Sequence, residues 1–254
     1  MEKTIKTVLV TGSKGFIGSN LVKALEKRGL IVLQFDKDNS FDYLYDCLQK
    51  ADFVYHFAAV QRPEDLDYSS NVFLSKRIID FLLSNNLKTP IFFSSSVQAE
   101  QDNPYGRCKI EEEKLFLNFS KDNSSKVYIC RFSNIFGPGS KPNYTSVVST
   151  FIYNIITNKP ITINDTNVRL NLLYIDNVVD YLINLLQLPS GYNAVNYLDS
   201  YYTIDLISLL YVVYCIKNRL DTSLKTFNSQ LINDLKKTYS FFEHTYLSWL
   251  FKIE

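Results

Sequence analysis

The chain has 254 residues, of which 46% are hydrophobic and 21% charged, enough apolar material for a buried core and too much for a disordered chain. Lys plus Arg total 27 and Asp plus Glu total 26, and the resulting net charge of +1 carries no footprint for nucleic acid or a membrane surface. Two His and four dispersed Cys (Cys47, Cys108, Cys130, Cys215) do not make a multi-ligand metal site of ordinary spacing. No apolar run reaches the roughly 18 residues of a membrane span. The longest, 206–216, is broken by Ser208 and two tyrosines. No secretory leader opens the sequence, so reduced thiols and a cytoplasmic location are expected.

In chain order, residues 7–10 read as a short buried strand, and 16–28 as a helix with Ile17, Leu21, Val22 and Leu25 on one side. A strand is expected over 30–35, a short helix over 41–49, a strand over 52–57, a helix over 68–84 and a strand over 91–94. A helix rich in Glu and Lys follows over 105–119, then a strand over 126–131. This alternation predicts an α/β fold, a doubly wound parallel sheet with helices on both faces. After Gly137-Pro138-Gly139 the pattern loosens to helices over 144–156, 176–186 and 204–217 and a strand over 168–173. The tail over 239–249 is too aromatic for a free linker. The expected organisation is a main domain over 1–136 and a smaller lobe over 137–254, with some late elements returning to the main sheet.

Thr11-Gly12-Ser13-Lys14-Gly15-Phe16-Ile17-Gly18 follows a strand and opens a helix. That is the setting of the dinucleotide fingerprint in Rossmann-type sheets, here spaced Gly-x-x-Gly-x-x-Gly. Gly12 permits the tight turn, Gly15 lets backbone amides approach a pyrophosphate, and Gly18 lets the helix sit close to the sheet. The helix start, with Phe16 and Ile17, supplies positive potential for the phosphates. Asp36 falls 18 residues beyond Gly18, where a carboxylate accepts from the adenosine ribose and repels a 2′-phosphate. Its neighbour Lys37 favours that phosphate instead, so NAD(H) and NADP(H) both stay open.

Tyr105 and Lys109 are four apart and share a helix face. An ammonium beside a phenol lowers its pKa, which suits Tyr105 to proton exchange with a carbonyl/alcohol pair, while Lys109 holds the nicotinamide ribose. Tyr-x-x-x-Lys alone is common on ordinary helices. Here Ser94-Ser95-Ser96 precedes it at a strand end and the glycine fingerprint lies upstream, a much rarer conjunction.

Together these residues resemble the extended short-chain dehydrogenase/reductases that modify nucleotide-activated sugars. The resemblance rests on 11–18, on Asp52-Phe-Val-Tyr-His56-Phe-Ala58-Ala59, Asn71, Ser94 to Ser96, Tyr105 with Lys109, Arg131-Phe-Ser-Asn134-Ile-Phe-Gly137-Pro138 and Tyr174-Ile-Asp176-Asn177. It implies that Ser96 is the catalytic hydroxyl, that Ala58 and Ala59 line the cofactor, and that Asn134 faces the substrate. A narrower likeness is to the reductase half of bifunctional capsular-polysaccharide assembly enzymes. It is carried by Ala59-Val-Gln-Arg62-Pro63, by 98–106, by Lys141-Pro-Asn143-Tyr144 and by Arg219-Leu-Asp, with a Ser96-to-Tyr105 interval of only nine residues. That likeness implies reduction of a 4-keto UDP-2-acetamido-2,6-dideoxy sugar. Asp36 departs from it, since this subgroup tends not to place an acid there.

Other residues take plainer readings. His56 reads as a core or cofactor-wall histidine, Cys108 as an ordinary thiol, and Glu111-Glu112-Glu113-Lys114 as a solvated helix face. Arg62, Lys141 and Arg169 are candidates to pair with a diphosphate. The resemblance implies a homodimer packed through the helices 68–84 and 105–119, with Phe73, Phe81, Leu115 and Phe116 as apolar contacts. The alternative functions are a nucleotide-sugar epimerase or dehydratase and a non-catalytic cofactor-binding protein. Val97-Gln98 after Ser96 speaks against dehydration, which uses an acidic pair there. The sequence ends near the point where the bifunctional relatives continue into a C3-epimerising domain, so C3 epimerisation is expected from a separate protein.

Overall fold

The computed structural model describes residues 5–61, 67–144, 146–163, 165–187, 195–199 and 201–250. The elements are β1 (Thr7–Thr11), α1 (Phe16–Lys27), β2 (Ile31–Phe35), α2 (Phe41–Lys50), β3 (Phe53–His56), α3 (Ser69–Ser84), β4 (Ile91–Ser96), α4 (Pro104–Asn123) and β5 (Val127–Phe132). They continue as β6 (Asn134–Phe136), α5 (Val147–Ile156), β7 (Arg169–Tyr174), α6 (Ile175–Leu185), β8 (Val195–Tyr197), β9 (Tyr202–Asp205), α7 (Leu206–Lys217) and α8 (Ser229–Leu250). They form two compact units, Met1–Phe132 with Val179–Leu198, and Ser133–Val178 with Asp199–Glu254. Among the described residues no helix is long and apolar enough to cross a membrane.

The first unit holds a six-stranded sheet in the order β2-β1-β3-β4-β5-β8, every pairing parallel. The chain runs from β1 to β2 on one side and then crosses back to β3 on the other. That reversal opens a crevice beyond the carboxyl ends of β1 and β3, where ligands bind in sheets of this kind. The apolar runs are strands because both faces are covered. On β4, Ile91 and Phe93 join a cluster with Leu9, Val54, Ile78, Leu82, Phe116 and Ile129. Phe92, one residue out of phase, packs on Tyr55 and Phe132 on the opposite face. There the Tyr55 hydroxyl donates to the Leu182 carbonyl at 2.6 Å, tying the end of α6 to the sheet. Phe116 is fully buried against Phe93 and His56, so it is a core residue and not the surface contact expected from its helix position. Phe81 likewise stacks on Tyr45, whereas Phe73 stays exposed.

In the second unit β6, β7 and β9 form a three-stranded sheet, with β6 parallel and β9 antiparallel to β7. The Tyr202 hydroxyl donates to Asp234 at 2.8 Å and ties β9 to α8. The aromatic tail is thus the body of α8, with Tyr239 and Phe242 buried.

Candidate active site

The glycine loop closes at the carboxyl end of β1. Gly12 has φ +69°, and a Cβ there would lie 2.8 Å from the Ala58 nitrogen, so the loop rests directly on the backbone after β3. A Cβ on Gly18 would meet the Gly12 carbonyl at 2.2 Å, which explains how close α1 sits to the loop. Gly15 caps α1 without a side-chain hydrogen bond, and the first turn, with Phe16 and Ile17, carries no acid. The open amides of that helix start therefore suit an anionic phosphate. The Ala58-Ala59 wall is fixed from the far side by Asn71, which accepts from the Val60 amide at 2.7 Å and donates to its carbonyl at 2.9 Å.

Asp36 lies just past β2, and both its carboxylate oxygens are engaged by the loop. One accepts from the Ser13 hydroxyl and the other from the Lys14 amide at 3.0 Å. Its carboxylate is thereby fixed beside the glycine loop; Lys37, next in the chain, is exposed.

Tyr105 and Lys109 stand on the first turns of α4. Asn103 caps this helix by accepting from the Gly106 amide at 2.8 Å, and Pro104 occupies its first position. The turn over 97–100, which follows Ser96, packs hard against that start. A Cβ on Gly106 would come within 2.3 Å of the Gln98 carbonyl and 2.4 Å of the Gln101 carbonyl. Gly106 is thus what lets the strand end with Ser96 approach the helix with Tyr105, a role the sequence analysis missed.

The three serines at the end of β4 do different work. The Ser94 carbonyl accepts from Lys109 Nζ at 3.4 Å. Ser95 donates to Glu113 at 2.5 Å. Ser96 Oγ accepts from the Gln98 amide at 3.2 Å, which leaves its own proton to donate elsewhere. Lys109 Nζ lies 4.6 Å from the Phe93 ring centre and 5.7 Å from that of Tyr105.

The Tyr105 pKa runs against the sequence expectation. Burial raises it, Lys109 opposes that rise, and Glu112 adds to it, so the phenol lies above its ordinary range and is an acid that keeps its proton at neutral pH. For Lys109, burial works against the charge, but Glu112 and Tyr105 together outweigh it and hold the ammonium above the ordinary lysine range. The Cys108 thiol is pushed up to about 11 by burial and by Glu112, which makes it a poor base or nucleophile.

The acidic run of α4 is not a solvated face. Glu112 is 0% exposed and pairs with Lys109 at 2.9 Å. Glu113 is 3% exposed and accepts both a 2.8 Å and a 2.7 Å bond from Arg131. Only Glu111 and Lys114 face outward. His56 is buried as expected of a wall histidine, and burial, with Lys109 adding to it, pulls its pKa down to about 3.

Five of the remaining sequence candidates lie in the second unit. Asn134 is exposed at the start of β6 and donates to the Asn171 carbonyl at 3.4 Å. Lys141 Nζ lies 4.7 Å from the Tyr144 ring centre. The Asn143 amide donates to Thr150 at 2.9 Å, and Arg169 is exposed at the start of β7. Arg62 lies outside the described residues. Among the described residues no group of three His, Cys, Asp or Glu is placed to hold a metal ion.

Comparison with known proteins places this geometry in a family. A relative from Pseudomonas aeruginosa, UDP-2-acetamido-2,6-beta-L-arabino-hexul-4-ose reductase, is 41% identical over 175 residues, covering 68% of this chain and 47% of that one. UDP-glucose 4-epimerase from Vibrio cholerae is 28% identical over 240 residues, covering 76% of this chain and 70% of that one. The crystal structure of capsular polysaccharide assembling protein CapF from Staphylococcus aureus superposes with a TM-score of 0.78 at 32% identity, covering 93% of this chain and 64% of that chain. The chain thus spans about half the length of the Pseudomonas relative. The model of the NAD dependent epimerase/dehydratase family matches residues 8–196, the stretch that holds the glycine loop, Ser96, Tyr105 and Lys109, and the chain belongs to that family.

Proposed function

We propose that this chain is a nicotinamide-dependent reductase of the 4-keto group of a UDP-linked 2-acetamido-2,6-dideoxyhexosulose, acting in the cytosol in surface-polysaccharide assembly. The observation that carries the reading is the placement of the Lys109 ammonium between the Tyr105 ring and the end of β4. The name of the Pseudomonas relative and the likeness to CapF support the substrate class.

A bound nicotinamide supplies the hydride. Tyr105 gives its proton to the sugar O4 as negative charge develops there, and Ser96 donates a hydrogen bond to the same oxygen. Lys109 stabilises the phenolate left behind and would hold the nicotinamide ribose. The amides at the start of α1 would hold the pyrophosphate of a bound cofactor, and Ala58 and Ala59 would line it. Asn134, Lys141, Asn143, Tyr144, Arg169 and Arg62 are assigned to the UDP-sugar on the resemblance. Cys108 is buried and its thiol donates to the Tyr68 carbonyl at 3.7 Å, so it is not offered as an acid or base at C3, and C3 epimerisation is assigned to a separate protein. A homodimer through α3 and α4 is proposed with Phe73 and Leu115 as contacts, without Phe116.

For the cofactor we propose NADH, because the anion fixed at Asp36 repels a 2′-phosphate. The test is incubation with the keto sugar while the nicotinamide absorbance is followed, NADH and NADPH compared in parallel. The expected result is oxidation of NADH matched by a new C4 alcohol, with Asp36→Ala raising the relative use of NADPH. Interconversion of UDP-N-acetylhexosamines without added reductant, and no keto-sugar reduction, would establish an epimerase instead.

A further inference from the structure

One continuous chain of polar side chains runs through the interior of the first unit. The Ala58 amide donates to Thr11 Oγ1 at 3.2 Å, and Thr11 Oγ1 lies 2.7 Å from His56 Nδ1. His56 Nε2 lies 3.1 Å from Ser75 Oγ, and Ser75 Oγ lies 2.8 Å from Glu112 Oε1. Glu112 Oε2 then meets Lys109 Nζ at 2.9 Å. Thr11, His56, Ser75, Glu112 and Lys109 are each at most 2% exposed.

Counting protons gives this chain a direction. A carboxylate only accepts, so Ser75 donates to Glu112 and its oxygen accepts from His56. His56 therefore carries its proton on Nε2, and its Nδ1 accepts from Thr11. The Thr11 oxygen is left to accept from Ala58. Every donor points toward Glu112, and a neutral imidazole is what this order requires.

We propose that Glu112 is a positioning residue for Lys109: its carboxylate, fixed by a chain of donors that begins at the cofactor wall, keeps the ammonium charged and aimed between the Tyr105 ring and the end of β4. A buried ammonium without such a partner gives up its proton. The other groups facing the pair are Tyr105 and Cys108 on α4, His56 from β3, Ser75 and Asn71 from α3, Tyr68 just before α3, and the Phe93 ring and Ser94 carbonyl from β4. Among the described residues Glu112 is the carboxylate that meets this ammonium, at 2.9 Å, so it is the counter-charge to Lys109. The effect on turnover rests on the reductase reading; the effect on the Lys109 charge does not.

The test separates the two. Protein labelled at lysine 13Cε is titrated by NMR, with Lys109 assigned from Lys109→Met, and kcat/KM for keto-sugar reduction is measured over the same pH range. In the wild type Lys109 titrates above an ordinary lysine. In Glu112→Gln its midpoint falls by about one unit or more, and the basic limb of kcat/KM falls with it. Glu112→Asp, which keeps the charge, restores both toward wild type. A merely structural role would lower kcat and leave the limb in place, and that result overturns the proposal, as does an unmoved midpoint. If Glu112→Gln does not fold, the wild-type titration still decides, since a Lys109 midpoint below that of an ordinary lysine overturns the proposal. A midpoint that moves in a protein without turnover on the keto sugar supports Glu112 as the partner of Lys109 and refutes the reductase reading instead.

Discussion

In the first unit Thr11, His56, Ser75, Lys109 and Glu112 are buried and joined to one another, whereas in the second unit Asn134, Lys141, Asn143 and Arg169 are exposed. The contrast fits what each set is proposed to do. A charge that tunes a proton transfer is worth most away from water, and it costs several kcal/mol there unless it is paired. A group that recognises a soluble anionic ligand stays solvated at little cost until the ligand displaces the water. On the proposed reading the first set sets the chemistry and the second meets the substrate.

If that contrast is sound, substitutions in the two units must fail in different ways. The largest effect is expected at Tyr105. Tyr105→Phe should lower kcat by roughly 10²-fold or more, because it removes the proposed general acid. NADH affinity, read by nicotinamide fluorescence, should stay nearly unchanged. Near-wild-type turnover would remove Tyr105 from the chemistry.

The next effect is on stability and comes from His56. The unfolded chain binds a proton at the ordinary histidine value near 6.5, while the folded chain refuses it until about 3. Between those values the unfolded state holds more protons, so stability is lost as pH falls, by about 1.4 kcal/mol per pH unit. Urea unfolding of the wild type and of His56→Gln at a series of pH values isolates this contribution. The variant, though less stable at neutral pH, should show a shallower decline below about pH 6.5. Equal slopes would mean that His56 is not held neutral.

The smallest effect is expected in the second unit. Lys141→Ala should raise KM for the UDP-sugar by about 10-fold or less and leave kcat within about 2-fold, the signature of lost uniform binding. A fall in kcat without a change in KM would place Lys141 among the groups that act on the transition state.

The same contrast explains what could be read from the sequence. The first five strands of the main sheet, β1 to β5, are mostly apolar runs, and the glycine loop and Tyr105 with Lys109 are local patterns, so periodicity and spacing exposed them. The strands β6, β8 and β9 are three or four residues long, too short for alternation to register. Glu112 and Glu113 looked solvated because adjacent acids on a helix usually are. Their burial depends on Ser75, Ser95 and Arg131, partners 18 to 37 residues away that only the fold brings together. Gly106 was missed for the same reason, since the carbonyls it clears belong to the turn after Ser96. The sign of the Tyr105 shift was misjudged because a neighbouring charge is visible in sequence and burial is not.

The central claim is that Tyr105, Ser96 and Lys109 direct a hydride to C4 of a keto sugar while Tyr105 supplies the proton. It is tested most directly by turnover with nicotinamide deuterated at C4 in ordinary water, with the product examined by NMR. The account predicts one deuterium at sugar C4 in the wild-type product and almost no product with Tyr105→Phe. Loss of the starting keto sugar with no deuterium at C4 would contradict it.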